Sequence, residues 1–96
     1  MPIAFLTLEL RIEGAHSLKD KRQVVRSMKD KLRNGFNVAV AELDPTDLWQ
    51  RATVGVVSVS ESRDYLQGLM QSVEREAVRI ATSTGGQVVD SYVEFL

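Results

Sequence analysis

At 96 residues the chain is short for two domains, so we expect residues 1–96 to form a single domain around one core. Hydrophobic residues make up 44% and charged residues 26%, a balance that argues against a disordered or membrane-embedded chain. No apolar run approaches the roughly 20 residues of a membrane-spanning helix, so we expect no membrane insertion. No cysteine is present, which excludes disulfides and thiol chemistry and predicts a cytoplasmic location.

The N-terminal part of the chain predicts a strand followed by a helix. Within Ile3–Glu13 the even positions are apolar and the odd ones become polar, the alternation of a strand with one buried face. Ser17, with Asp20 three positions later, resembles a capping box and predicts that a helix begins there. Apolar residues recur at helical spacing after it, and Asn34-Gly35 predicts a left-handed stop, so the helix should cover Leu18–Arg33.

The remaining elements are predicted to be two strands, a second helix and a last strand. Phe36–Leu43 is rich in valine and alanine and predicts the second strand. Ala52–Ser60 contains four valines, so the third strand is expected inside the sheet rather than at an edge. Ser60 is placed to cap the second helix. Gly85-Gly86 predicts a turn, after which Gln87–Phe95 forms the last strand.

This order of elements predicts an α+β fold of the ferredoxin-like βαββαβ type. Right-handed crossovers would place four antiparallel strands in the order 4-1-3-2, with both helices on one face of the sheet. The other face of the sheet is then left uncovered.

The first predicted helix concentrates positive charge. Residues 17–34 hold seven basic residues against two acidic ones, a net +5, so the rest of the chain carries −6. At about 100° per residue, five of the cations fall within about 80° on one side of the helix. These five, called here the basic stripe, are Lys19, Arg22, Arg26, Lys29 and Arg33. Like charges at i,i+3 and i,i+4, and cations near a helix N-terminus, oppose helix stability, so the stripe suggests a function.

Three interpretations of the basic stripe stay open at this point. In the first, it binds the phosphates of structured RNA, and five contacts give log affinity a slope of about −3.5 to −4.5 against log salt. In the second, it is a solvated helix face whose long side chains also cover the core. In the third, it meets an acidic protein or the acidic remainder of a second copy.

Three further residues are candidates for the same nucleic-acid surface. Lys21 lies on the same helix, and His16, the only histidine, lies in the loop before it. Trp49 precedes the third strand, where it stacks on a base, anchors a protein partner or closes the open end of the core. We expect no catalysis by His16, because no nucleophile accompanies it.

Ile3 and Phe5 occupy odd positions of the first strand and are predicted to face the uncovered side of the sheet. An apolar patch there favours a dimer through the sheets or a docked partner, and the dimer is the alternative to nucleic-acid binding. Binding of a base in the manner of an RNA-recognition motif is disfavoured, because that motif has aromatic residues on both central strands and Arg51–Ser58 has none.

The sequence predicts neither a metal site nor an enzyme. Glu42, Asp44 and Asp47 cluster where the second strand ends. They either hold a hard cation, or Asp44 and Asp47 shape the turn while one acid pairs with Arg51; we expect the second. Gly85-Gly86 lacks the lysine and the spacing of a phosphate loop. With no paired nucleophile and base, we expect no catalytic residue and no cofactor.

Three blocks carry a family resemblance: SLKDKRQVVRS at 17–27, FNVAVAE at 36–42 and DLWQRA at 47–52. Together, in this order and spacing, they resemble the bacterial YlxP-like family of unknown function. The resemblance implies a ferredoxin-like fold and no established catalytic activity. Genes of that family often lie beside those for translation initiation and ribosome maturation, which implies structured RNA or a ribosomal particle as partner. We therefore expect a non-enzymatic binding module, with a homo-oligomeric interaction domain as the alternative.

Overall fold

The computed structural model describes residues 1–43 and 48–96, which contain four strands and two helices. In chain order these are β1 (Ile3–Arg11), α1 (Leu18–Gly35), β2 (Ala39–Leu43), β3 (Arg51–Val59), α2 (Arg63–Ser83) and β4 (Gln87–Phe95). The strands form one antiparallel sheet in the order β2-β3-β1-β4. This is the predicted order 4-1-3-2 read from the opposite edge, and the ferredoxin-like fold is confirmed.

The hydrophobic core lies between one face of the sheet and the two helices. Even positions of β1, such as Leu6 and Leu8, are fully buried, as are Val54 and Val56 of β3. Helix α1 packs against β2 and β3, and α2 packs against β1 and β4. The helical contribution to the core is Val25, Met28, Leu32, Leu66, Met70, Val73, Ala77, Ile80 and Ala81. Because β1 and β3 occupy the centre of the sheet, their alternate residues form the middle of both faces.

The cap of α1 agrees with the prediction, whereas the cap of α2 does not. The Ser17 hydroxyl accepts a hydrogen bond from the Asp20 N–H at 3.1 Å, and Asp20 Oδ2 accepts one from the His16 N–H at 3.0 Å. The predicted cap Ser60 is wrong: Ser62 caps α2 and accepts from the Tyr65 N–H at 3.1 Å. The hydroxyl of Ser60 instead accepts from the Ser62 N–H, which shapes the connection between β3 and α2.

The predicted left-handed stop at Asn34-Gly35 is also wrong. Helix α1 continues through Gly35, and among the described residues Gly85 is the only glycine with positive φ. The helix ends at Phe36, whose extended backbone turns the ring toward the core while its N–H still donates to the Leu32 carbonyl at 3.1 Å. Strand β2 therefore begins at Ala39, three residues later than predicted.

Candidate nucleic-acid interface

Four of the five basic-stripe residues line one groove. The groove has a volume of about 350 Å³ and runs along α1 on the side of the edge strand β2. Its walls are Arg22, Val25, Arg26, Lys29, Asp30, Arg33 and Glu42. The helical spacing that defined the stripe in sequence thus places these cations on one continuous concave surface.

Most of the positive charge in this groove has no acidic partner. Arg33 lies 3.5 Å from Asp30, an exposed pair on successive helical turns. Within residues 1–43 and 48–96, Arg22, Arg26 and Lys29 form no ion pair. Exposed cations left without carboxylates keep their charge available for an external anion.

Lys21 belongs to the core side of α1 rather than to the groove. Its side chain is 4% exposed, and its Nζ lies 3.7 Å from Oε2 of Glu42, which is 23% exposed. The physical reason is its position on the wheel, since Lys21 precedes the buried residues Val25 and Met28 by four and seven positions. The prediction that Lys21 assists at the surface therefore needs correction: the ammonium is buried in the described structure.

Lys19 and His16 lie at the N-terminal end of α1, beyond the groove. Both side chains are exposed, and neither lines the groove walls. They extend the positive surface of the stripe toward the loop between β1 and α1. Their contact with a partner stays a prediction.

Trp49 occupies a separate cleft at the end of the sheet where β1 finishes and β3 begins. The indole is 48% exposed, so about half of its surface is open to solvent. The cleft has a volume of about 410 Å³, and its described walls are Leu48, Trp49, Gln50 and Arg51. No described stripe residue lines it, so Trp49 and the stripe form two distinct surfaces.

Ile3 and Phe5 lie, as predicted, on the sheet face that the helices leave uncovered. Both are half-buried, and Phe5 lines a shallow apolar hollow of about 150 Å³ above β2 and β3. Gly55 deepens this hollow, and Leu43 covers that glycine. Val59, Tyr92 and Leu96 add exposed apolar surface nearby. The structure thus contains an apolar patch on this face.

Register brings together two arginines that the sequence analysis did not connect: Arg51 was considered only as a partner for an acid, and Arg11 was not considered. Arg11 at the end of β1 is directly opposite Arg51 at the start of β3. Both side chains are exposed, and they line a cleft of about 390 Å³ with Glu13 and Gln50. In the sequence these are single arginines, one at the end of β1 and one at the start of β3. They are recognised as a pair only when the register of the two strands is known.

The clearest pKa perturbation lies outside these surfaces, on the exposed side of α2. The pKa of Glu76 is below its ordinary value because the side chain of Arg79 donates hydrogen bonds to its carboxylate. The pKa of Arg79 is raised by the same hydrogen bond. This i,i+3 pair is an interaction within one helix and points to no site.

The described residues contain no group of three or more histidine, cysteine, aspartate or glutamate side chains arranged to hold a metal. Of the acidic cluster considered in the sequence, Glu42 instead pairs with Lys21. Asp44 and Asp47 lie outside the described residues. Of the two described helices, neither is long and apolar enough to cross a membrane.

The fold defines the class of protein. Two helices packed on one face of a four-stranded antiparallel sheet, in this strand order, make it a ferredoxin-like α+β domain. Residues 3–92 match the model of a family described as protein of unknown function (DUF503), and the chain belongs to that family. It is similar to the uncharacterized protein YlxP of Bacillus subtilis (strain 168), with 38% identity over 71 residues, 74% of this chain and 77% of the relative. The resemblance recognised in the sequence is confirmed.

Solved structures at low identity share the fold. The cryo-EM structure of Arabidopsis thaliana MSL1 matches with a TM-score of 0.63 at 18% identity, over 93% of this chain and 34% of that one. A C-terminal segment of the alpha subunit of aIF2 from Pyrococcus abyssi matches with a TM-score of 0.53 at 12% identity, over 97% and 50%. A de novo designed protein with a ferredoxin fold matches with a TM-score of 0.57 at 7% identity, over 100% and 84%. This chain spans half or less of the two natural structures, and these likenesses show the fold alone.

Proposed function

We propose that this protein is a non-enzymatic, cytoplasmic RNA-binding module that holds backbone phosphates of structured RNA, free or in a ribosomal particle, along its basic stripe. The observation that carries the proposal is the groove beside α1, in which Arg22, Arg26 and Lys29 have no ion-pair partner among residues 1–43 and 48–96. Arg33 adds a fourth cation to the same wall.

The arrangement suits phosphates better than bases. The stripe rises about 21 Å from Lys19 to Arg33 at about 1.5 Å per residue, so its cations follow a linear row of anions. Double-stranded RNA is recognised chiefly through shape and through phosphate and 2′-hydroxyl contacts, because its deep groove hides the base edges. Among the described residues that line the groove, none has an aromatic side chain on which a base would stack. We therefore expect binding that depends on RNA structure more than on sequence.

Salt dependence gives the proposal a quantitative test. If the four cations of the groove each meet one phosphate, log affinity should fall against log salt with a slope of about −2.8 to −3.6. Participation of Lys19 would bring the slope toward the value of about −3.5 to −4.5 for five contacts. The purified protein is titrated with total cellular RNA and with ribosomal particles across a salt series.

A matched pair of variants isolates the stripe. The double variant Arg22→Glu, Arg26→Glu reverses two charges in the groove, and the control Lys31→Glu, Arg75→Glu reverses two exposed charges elsewhere on the helices. Circular dichroism verifies that both remain folded. We expect the stripe variant to lose binding and the control to keep most of it. Equal loss in both variants, or tight binding by the stripe variant, would contradict the proposal.

The apolar patch on the uncovered face favours a second candidate function, a homo-oligomeric interaction domain that does not bind nucleic acid. Phe5 lines the hollow above β2 and β3, and neighbouring apolar side chains extend it across the face. Pairing of two such faces would bury this surface. Sedimentation should then show a dimer that Phe5→Ser converts to monomer. A wild-type mass that stays monomeric across concentration, with RNA bound, would eliminate this candidate.

A further inference from the structure

We propose a second binding site on this protein, a nucleotide site in which Arg11 and Arg51 hold a phosphate group and Trp49 stacks on the base. The site lies at the end of the sheet where β1 finishes and β3 begins. It does not depend on the basic stripe, because no stripe residue lines either of its clefts.

The first argument is the unfavourable placement of two like charges. Arg11 and Arg51 are directly opposite each other on neighbouring antiparallel strands, and they share the uncovered face of the sheet. Like charges in this relation destabilise a sheet, whereas an opposite charge on either strand would stabilise it. Within the part of the chain that the structure describes, neither arginine forms an ion pair. An anion seated between the guanidinium groups would remove the repulsion.

The second argument is that the arginine cleft and the tryptophan cleft adjoin. Gln50 and Arg51 line both, so Arg51 forms the boundary between the Arg11 side and the Trp49 side. The two volumes, about 390 and 410 Å³, are each in the range of small-molecule sites. A ligand with an anionic end and a planar end can therefore occupy both clefts across Arg51.

The third argument is chemical. Guanidinium groups bind phosphate oxygens through paired, charge-assisted hydrogen bonds, and two of them provide for a doubly charged phosphomonoester. An exposed indole stacks on any of the bases, since each has a π-face. The carboxylate of Glu13 also lines the arginine cleft, which leaves it a net +1 from Arg11, Arg51 and Glu13. The ligand class that satisfies the two clefts together is a nucleotide.

The backbone under the site is well fixed. The Ile12 N–H donates to the Gln50 carbonyl at 2.9 Å, which joins the residue after Arg11 to the residue before Arg51. On the other side, Gly86 packs so closely on the Arg11 carbonyl that a Cβ there would lie 2.9 Å from its oxygen. Fixed strand ends reduce the ordering cost of bringing two charged side chains to one ligand.

The sole tryptophan provides the assay, because its fluorescence reports on the site directly. The full chain is titrated with adenosine monophosphate, with adenosine and with inorganic phosphate. We expect the monophosphate to quench Trp49 and to bind about tenfold or more tighter than adenosine, the equivalent of about 1.4 kcal/mol for the phosphate contacts. Quenching by the monophosphate no stronger than by adenosine would overturn the proposal.

Two double variants locate the phosphate contact. Arg11→Gln with Arg51→Gln should lose the advantage of the monophosphate over adenosine, while the matched control Lys31→Gln with Arg75→Gln should keep it. Unchanged binding in the first variant would overturn the proposal. Thermal melts without ligand verify that both variants fold.

The stripe variant Arg22→Glu, Arg26→Glu separates this site from the proposed RNA surface. It should bind the monophosphate as the wild type does, whether or not it binds RNA, and loss of the mononucleotide would assign the signal to the stripe and overturn the proposal. Competition by a single-stranded RNA oligonucleotide that carries a terminal phosphate, compared with the same oligonucleotide without it, distinguishes the two sources of the ligand. If the terminal phosphate improves competition by at least the factor that separates adenosine monophosphate from adenosine, the ligand is an RNA end. If only the mononucleotide binds, the ligand is a free nucleotide.

Discussion

Gly85 and Gly86 are adjacent glycines required for different reasons. The loss of stability on substitution should therefore depend on the type of side chain at position 85 but not at position 86. Gly85 has φ of 84°, and a Cβ added there would meet open space, with no packed neighbour within 4 Å, so its requirement is conformational. Left-handed backbone costs a residue with a Cβ about 1–2 kcal/mol, and asparagine tolerates it better than alanine does. Gly85→Ala should destabilise the protein by about that amount, and Gly85→Asn by less.

Gly86 is required because of contact, since an added Cβ would lie 2.9 Å from the Arg11 carbonyl oxygen and 3.7 Å from the Ile12 Cα. Both atoms are backbone, and the Gly86 N–H also donates to the Ala81 carbonyl at 2.8 Å, so neither side can move freely. Overpacking of this kind costs about 1–3 kcal/mol, and asparagine should be no better than alanine. Urea unfolding followed by circular dichroism measures all four variants, and in a chain of this size 1 kcal/mol moves the Tm by about 4–8 °C. Equal destabilisation by alanine and asparagine at 85, or rescue by asparagine at 86, would refute the reasoning.

Three further predictions concern single contacts. Lys21→Ala should cost about 2 kcal/mol by emptying a buried position, and Lys21→Met should cost less because it retains the volume of the stem; equal costs in urea unfolding would show that charge dominates. Hydrogen bonds from Arg79 lower the pKa of Glu76 in the folded state. Their contribution to the stability of the fold is therefore present above the ordinary carboxyl pKa of 4.5 and is lost as the pH falls through the lower pKa of folded Glu76. Arg79→Gln should therefore reduce stability at neutral pH and match the wild type in strong acid, and a constant difference across the pH range would count against this. Gly55→Ala would place a Cβ 2.8 Å from Leu43 Cδ1, so it should destabilise the wild type and become neutral or stabilising beside Leu43→Ala; simple additivity in the double-mutant cycle would disagree.

Much of the fold could be predicted because it depends on local periodicity. Alternation along β1 identified its buried face, and the spacing of apolar residues identified both helices. Positions that depend on where the sheet ends could be predicted less well from the sequence. Ser60 and Ser62 are equally good caps in sequence, and the choice between them follows from the length of β3, which pairs with β1 as far as Val59. Similarly, Gly35 stays helical because the chain turns at Phe36, whose ring joins the core.

The candidate sites were predictable to the extent that they lie on one element. The stripe follows from about 100° per residue along α1, and the same geometry would have placed Lys21 among the apolar residues. The carboxylate partner of Lys21 could not be deduced, because Glu42 belongs to a different element, β2, and faces α1 only through the register of that strand. The pair of Arg11 and Arg51 is likewise a product of register between distant segments. Contacts between elements are thus the part that sequence patterns leave undetermined.

The uneven distribution of charge has a consequence for how the molecule meets a polyanion. Its net charge is only −1, and its extents are 43 × 23 × 20 Å. Electrostatic fields decay over about 8 Å at physiological ionic strength, which is well below any of these dimensions. A partner that approaches the α1 side therefore senses the basic stripe, whereas acidic residues outnumber basic ones over the rest of the chain, the cleft of Arg11 and Arg51 excepted. If the protein binds RNA as proposed, this asymmetry would favour one orientation during close encounter, so the selection of the binding face would begin before any side chain makes contact.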